Sequence, residues 1–531
     1  MIDAPPSNCS PLAPPTPPTP VSQGSRAAGN ASEDPDFSYI VTPMNRREFL
    51  GALSAAAITT AITPSTLFAQ DNPRQVYKHR VQFGCWINDM RNDVLPRTNW
   101  PAMTLDEKTE RDIIDCLTLG QQSGYNEVDV WGLFAASAYP IDIKSAFHDP
   151  ARRPRVDRIL SAARQRQIKT IYGMGVYSWG FDTIIANDPA VRGNNPHVMC
   201  ASSEASLAWQ QKLIDAIVNE LGVDGFHLES ADQGRCTCPK CAAMGDVEYH
   251  TRINVKTGDY IRGTYPGKLV SCTIQGWSAW GKNLAEADKQ HLIDLSEHVD
   301  VIWDQGHRRT YIEPEKRGEF IAKLKCDYGT SGGFWVYPPP RWDRLRWFFP
   351  YVTRTGAHIK ELYAQGGRGV MYYQGPIVNP GVELNLAFGG RFMNDCSRPI
   401  DEVVTQILEE RYRPKNPAAL KKLFNVFRKP EETYFANWQE RAIAEHDKMP
   451  PPGELHLGPL FGTSPGGPTY VSEPFLNRDG RKAYKESLLA AYDELMSCRD
   501  DFDDGGRVER IAKCLTNAAA DIETLSVGKQ E

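Results

Sequence analysis

The chain has 531 residues, 41% of them hydrophobic and 24% charged, with a formal net charge of −6. That length suits one large barrel with additions or two domains, and the acidic balance argues against nucleic acid or an anionic membrane surface as partner. After residue 70 no run approaches the roughly 18 continuous apolar residues that span a bilayer, so no membrane span is expected in the mature chain.

Residues 1–43 are rich in Pro, Ser and Ala and include Pro14-Pro-Thr-Pro-Pro-Thr-Pro20. Such a segment cannot bury enough apolar surface to order itself and is expected to be a disordered leader. Met44-Asn-Arg-Arg-Glu-Phe-Leu50 follows, then a weakly apolar stretch ending in Leu67-Phe-Ala69. A basic pair, an apolar stretch and a small residue at the cut read as a twin-arginine signal peptide over 44–69. The expectation is export through the twin-arginine machinery to the periplasm or beyond. Met44 is a candidate start codon, which would leave residues 1–43 untranslated.

From residue 79 short β-branched and aromatic runs alternate with amphipathic stretches, the rhythm of βα units. Eight strands are expected, at 80–87, 125–131, 169–176, 225–229, 269–275, 299–304, 333–337 and 369–373. Helical patterns fall between most of them, for example at 111–123, 156–166, 204–221, 285–297, 316–325 and 352–365. Eight such units in succession predict an α/β fold, a closed (β/α)8 TIM barrel over 79–395. The rival, an open doubly wound sheet, usually carries a Gly-rich phosphate turn after its first strand. Here Gly84-Cys-Trp-Ile-Asn-Asp89 stands in that place. Residues 384–393 would be the last barrel helix. A mostly helical C-terminal region is expected over 396–531, interrupted by a Pro/Gly-rich loop at 450–468.

Barrel enzymes place their working residues at the C-terminal ends of the strands. Those ends give Trp86 and Asp89 on strand one; Glu127, Asp129 and Trp131 on strand two; and Tyr177 on strand three. Strand four gives His227 and Glu229, with Asp232 just beyond, and strand five leads to Trp277. Strand six gives Asp304 and His307, strand seven Tyr337, and strand eight Tyr373 and Gln374. Trp86, Trp131, Trp179, Trp277, Trp303 and Trp335 all fall at or near strand ends, half of the 12 tryptophans. Aromatic faces pack on the C–H face of a sugar while the polar groups take its hydroxyls, so a carbohydrate site is expected; packing within the barrel is the competing explanation for each single Trp.

Glycoside hydrolysis needs an acid to protonate the leaving oxygen and a second carboxylate to attack or to activate water. Period-2 alternation puts His227 and Glu229 on one face of strand four and Phe226 and Leu228 on the other. Glu229 is therefore expected to face the barrel interior as general acid, with a pKa raised by burial, and Asp304 to be the base or nucleophile. A polysaccharide lyase, with His227 or Tyr337 as base and Arg308 as charge neutraliser, and a non-catalytic glycan-binding barrel remain open. Histidines at strand ends are too few for a catalytic zinc, and no organic cofactor is indicated.

Cys236, Cys238 and Cys241 form a C-x-C-x-x-C group that could share one tetrahedral Zn2+ as a structural clamp, with Cys200 or His250 as fourth ligand. A disulfide plus a free thiol, or unliganded thiols, are the alternatives.

The stretch from His197 to Cys241, with Cys200, Gly225-Phe-His-Leu-Glu229 and Cys236-Thr-Cys-Pro-Lys-Cys241, resembles an uncharacterised exported bacterial family with this cysteine signature. That family is similar in organisation to α-glucuronidases and, more distantly, β-hexosaminidases. The resemblance implies a (β/α)8 glycoside hydrolase fold with Glu229 in the place of the acid after strand four and Asp304 in the place of an activating acid after strand six. Two positions depart from it. No acid follows strand seven until Asp343, and Leu228 stands where β-hexosaminidases carry an aspartate before the acid glutamate.

Overall fold

The structure is a computed structural model; it describes residues 74–84, 105–131, 150–178, 181–230, 234–273, 285–304, 314–330, 348, 350–375, 377–437, 455–456, 475–476 and 478–527. Eight strands close into a parallel barrel in sequence order: β1 His79–Gly84, β2 Glu127–Val130, β3 Lys169–Gly175, β4 Gly225–Glu229, β5 Leu269–Thr273, β6 Val301–Asp304, β7 Asp327–Thr330 and β8 Gly369–Tyr373. The ring closes where β1 pairs with β8, Val81 opposite Met371 and Phe83 opposite Tyr373. Each strand has a neighbour on both sides, so the closed ring leaves no exposed sheet edge.

Seven of the eight expected strands overlap the observed ones. Strand seven does not: it was expected at 333–337, and the chain pairs instead through Asp327–Thr330. Asp-Tyr-Gly-Thr is a poor strand sequence by propensity, with a glycine inside it. Its register is fixed from outside. Tyr328 faces the helices, and Gly329 faces inward beneath the Trp303 indole, which a side chain there would overlap.

Alternation along the strands divides two cores. Val81, Phe83, Trp131, Val301, Trp303 and Met371 fill the barrel interior. Val128, Tyr172, Phe226, Val270, Ile302 and Tyr328 point outward into the larger core beneath the helices. Helices such as Glu107–Ser123 and Glu204–Leu221 cover that outer face. Each ends on a glycine in the left-handed conformation, Gly124 at φ 92° and Gly222 at φ 59°, which turns the chain into the next strand.

The C-terminal helices Ile400–Tyr412, Pro417–Ala436, Arg478–Met496 and Gly505–Val527 share this outer core, through Tyr412, Phe427, Tyr484 and Leu515. They are also held by charge. Glu383, buried in the first turn of the helix Pro380–Asn394, accepts from Arg411 Nε at 2.9 Å and from Arg507 Nη1 at 2.7 Å. Among the described residues no helix is long and apolar enough to cross a membrane.

Candidate active site

Glu229 ends β4 at the C-terminal rim and is buried. It lies on the same strand face as His227, two residues earlier, and that face is the barrel interior: the His227 ring meets Phe83 at 6.0 Å and Trp131 at 5.7 Å between centroids. Main-chain pairing fixes the strand end, because Val176 N donates to the Glu229 carbonyl at 2.7 Å.

One layer below, His227 Nδ1 forms a short hydrogen bond with Asp129 Oδ2 on β2. Asp129 is fully buried. Burial pushes its carboxyl above the usual carboxylate range, and the His227 and Trp131 side chains pull it part of the way back. His227 Nδ1 is committed to the Asp129 bond, and Nε2, also buried, has no hydrogen-bond partner among the described residues. The sequence places Asp129 among the polar residues of strand two without a role of its own. The signal was there: Glu127 and Asp129 sit two apart between Val128 and Val130, which marks a polar inward face.

Asp304 does not join this group. Trp303 points inward, so its neighbour points outward, and Asp304 accepts a hydrogen bond from the Tyr328 hydroxyl at 2.6 Å on the helix-facing side. The expected pair of Glu229 and Asp304 is thus divided between the two faces of the sheet.

Three expected substrate contacts are buried. Trp131 is buried with its indole over Gly173, where a side chain would overlap it, and it packs in the barrel interior. Tyr177 is fully buried in the helix-facing core, in a left-handed conformation at φ 60°, and burial raises its hydroxyl to about 12. Gln374 is buried with its amide donated to Gln82 Oε1 at 3.2 Å, and Gln82 in turn donates to the Cys116 carbonyl at 2.7 Å. Trp86, Asp89, Asp232, Trp277, His307, Arg308 and Tyr337 lie outside the described residues, as do the segments 1–43 and 44–69. Tyr373 ends β8, and its side chain is likewise outside them.

A second constellation sits on the loops that leave the same rim. Cys200, on the loop after β3, meets Cys236, Cys238 and Cys241, on the loop after β4, with all four sulfurs within 4.8 Å of one another. Cys200 Sγ is 3.7 Å from Cys238 Sγ and 3.9 Å from Cys241 Sγ. All four are free thiols, so no disulfide forms among them. A tetrahedral ion with bonds of about 2.3 Å to sulfur sets its ligands about 3.8 Å apart, so the four thiols fit a bound metal. Cys238 N donates to Cys236 Sγ at 3.5 Å, the kind of main-chain support a thiolate needs. His250, the other expected fourth ligand, is not part of the group; burial pushes its imidazole down to about 4.

No protein-family model matches the chain, and no curated protein matches it. Among solved structures, an enzyme of glycoside hydrolase family 138 that targets pectin rhamnogalacturonan II aligns over 86% of this chain with a TM-score of 0.55 and 9% identity. This chain spans 58% of that protein's length. A Flavobacterium johnsoniae chitobiase aligns over 86% of this chain and 73% of its own, at 11% identity and a TM-score of 0.42. A Bacteroides fragilis β-N-acetylhexosaminidase aligns over 64% and 70%, at 13% identity and 0.40. The fold of this chain is a closed (β/α)8 barrel, and the likeness that bears on it is the one to the family 138 enzyme. At such identities the likeness is one of fold, and the chemistry has to be argued from the site.

Proposed function

We propose that the protein is an exported glycoside hydrolase that cleaves a poly- or oligosaccharide, with Glu229 as the proton donor. The observation that carries this reading is the placement of a buried carboxyl at the C-terminal end of β4, on the inward face of a closed barrel. A carboxyl there can give its proton to the glycosidic oxygen as the C–O bond breaks and the sugar takes on oxocarbenium character; water then bonds to that carbon and returns a proton to the carboxylate. His227 and Asp129 form the polar floor beneath it. Asp304 is no longer the partner of choice, since its carboxylate is engaged by Tyr328 on the other face.

The test is a screen of the purified mature protein on a glycan panel, followed by Glu229→Gln. Amide replacement removes the proton without changing shape, so turnover should fall by about 10^3-fold or more, with the thermal transition unchanged. Full activity in the folded variant rules the assignment out.

One observation favours a second reading. In a lyase of the syn-eliminating kind, base and acid work from the same side of the sugar ring. His227, oriented by Asp129 and with Nε2 unpartnered among the described residues, stands two residues from Glu229 on one strand face. The imidazole would take the proton beside a uronate carboxylate and Glu229 would protonate the departing oxygen, leaving a C=C bond. Ultraviolet absorbance of the product distinguishes this from hydrolysis, in which water is consumed and no double bond forms.

We further propose that the four cysteines hold a structural Zn2+. Four thiolates complete its coordination and leave no open position for substrate or water, so the ion clamps loops and takes no part in the reaction. Metal analysis of the purified protein tests this; about one Zn2+ per chain is expected. Export through the twin-arginine route rests on Arg46-Arg47 and the stretch that follows. Replacing both by lysine should retain the protein in the cytoplasm on fractionation.

A further inference from the structure

We propose that the four-cysteine centre is a positioning device for Glu229: the metal-bound state holds the main chain that aims the acid. The inference rests on Glu229 being the proton donor and on the cysteines binding metal, and it adds the connection between them.

Two arms run from the cysteines to Glu229. The first begins at Cys200. Its neighbour Met199 donates its N–H to the Tyr177 carbonyl at 2.7 Å, and Val176, the residue before Tyr177, donates its N–H to the Glu229 carbonyl at 2.7 Å. Two main-chain hydrogen bonds thus link a metal ligand to the acid. The second arm is covalent: Cys236 follows Glu229 by seven residues on one loop.

The weak point of the first arm is Tyr177. Its φ of 60° is left-handed, a conformation that a bulky non-glycine residue keeps only when its surroundings impose it. Three groups impose it here. Tyr177 N is taken by Gln210 Oε1 at 3.0 Å, Tyr177 O by Met199 N, and the preceding residue by Glu229. Gln210 sits on the rigid helix Glu204–Leu221, but Met199 sits on the loop that carries Cys200.

That loop otherwise meets the β4 loop through Asn195, whose Nδ2 donates to the Arg235 carbonyl at 3.3 Å, through Ser202 Oγ, 3.2 Å from Cys241 Sγ, and through Asn194. Its Oδ1 accepts from Thr237 N at 2.7 Å and its Nδ2 donates to Thr237 Oγ1 at 2.6 Å, both on the exposed side. Exposed hydrogen bonds compete with water and hold poorly on their own. An ion bridging Cys200 to Cys236, Cys238 and Cys241 would join the two loops by four bonds. Met199 is also bridged to Arg192, with Cys200 N donating to the Val191 carbonyl at 2.8 Å, so removing the ion loosens Met199 rather than unfolding its loop, lets Tyr177 relax toward ordinary backbone, and weakens the Val176 bond to Glu229.

Hydrogen exchange read by NMR or mass spectrometry tests this on the intact protein, purified with Zn2+, stripped with a chelator, and reloaded. A Cys238→Ser variant, which changes the one partly exposed ligand, provides the same state without chelator. We expect the amides of Val176 and Met199 to exchange about tenfold faster or more when metal is lost, and to recover with Zn2+. The amide of Met371, on the far strand β8, should not change. kcat should fall in the stripped protein with KM moving less, because the substrate-contacting groups remain.

Unchanged protection at Val176 and Met199 overturns the proposal. So does loss of protection at Met371 as well, which would make the metal a support of the whole fold. Failure to retain any metal overturns it too. If the exchange behaves as expected but Glu229→Gln is fully active, the brace stands and the assignment of the acid falls.

Discussion

The Trp303 indole occupies the space that a side chain at Gly369 would need: a Cβ there would lie 2.7 Å from Trp303 Cη2. Gly329 on β7 sits under the same ring. The barrel interior is therefore packed by large residues set against glycines on neighbouring strands, Trp303 against β7 and β8 and Trp131 against Gly173 of β3. Gly369→Ala should force the indole out of place and destabilise the protein by about 1–3 kcal/mol. Gly245→Ala, at a helix N-cap with nothing near its Cβ, should stay within about 0.5 kcal/mol of the parent. Denaturant midpoints of the two variants, at unchanged slope, check the contrast.

At the opposite end of the barrel, His79 lies between two carboxylates, Glu127 Oε1 at 2.8 Å from Nδ1 and Asp327 Oδ2 at 3.1 Å from Nε2. Burial alone would lower its pKa, but the bonds to Asp327 and Glu127 outweigh that and raise it from 6.5 to about 9. A raised folded-state value means the stabilisation is complete below pH 6.5 and is lost as pH rises through 9. For one proton the slope cannot exceed about 1.4 kcal/mol per pH unit. Asp327, held down to about 2 first by its bond to His79, contributes in the other direction, losing its share only in strong acid. The expected result is a fall in stability between pH 6.5 and 9 in the parent and a flatter profile in His79→Gln. Equal slopes in the two proteins would count against a charged His79.

The barrel was legible because short β-branched and aromatic runs such as β4 and β8 alternate with amphipathic stretches, and because inward and outward faces alternate at every second residue. Glu229 and His227 could be placed from that alternation alone. The same rule, applied at Trp303 and Asp304, needed one fact that the letters do not carry: which of the two faces in. Both side chains can be buried on either side, and only the glycines of β7 and β8 decide it. Strand seven was missed for a related reason, since Asp327–Thr330 pairs under tertiary pressure and against its own propensity. Trp131 and Tyr177 are both buried, and a ring that fills a barrel and a ring that cradles a sugar share the same sequence position. The C-x-C-x-x-C spacing was a reliable sign of a shared site, but the choice of Cys200 over His250 required the loop after β3 to fold back.

Glu383 fixes two C-terminal helices at once, through Arg411 and Arg507. Its carboxylate is buried, and both arginines are partly so. Glu383→Ala leaves two cations facing each other without a partner, and should cost about 3 kcal/mol or more. Glu383→Gln keeps shape and some hydrogen bonding and should cost less. Thermal melting gives both values. If instead the alanine variant melts with the parent, the C-terminal helices are held by their shared apolar core alone.

Asp304 and Glu229 provide the sharpest test of the site, because the fold assigns them to opposite faces of the sheet. Asp304 accepts the buried Tyr328 hydroxyl at 2.6 Å, and burial, followed by the nearby Asp304 charge, pushes that hydroxyl well above its ordinary range. Asp304→Asn keeps an acceptor for Tyr328 and should lower turnover by no more than about tenfold, with a small loss of stability. Tyr328→Phe leaves the carboxylate without this donor and should cost about 1–3 kcal/mol. Glu229→Gln should do the reverse, abolishing turnover at parental stability. Measured together, kcat and melting temperature separate a residue that acts on substrate from one that holds a strand in place. An Asp304→Asn protein as inactive as Glu229→Gln, yet as stable as the parent, would return Asp304 to the reaction and require β6 to present its other face to the barrel.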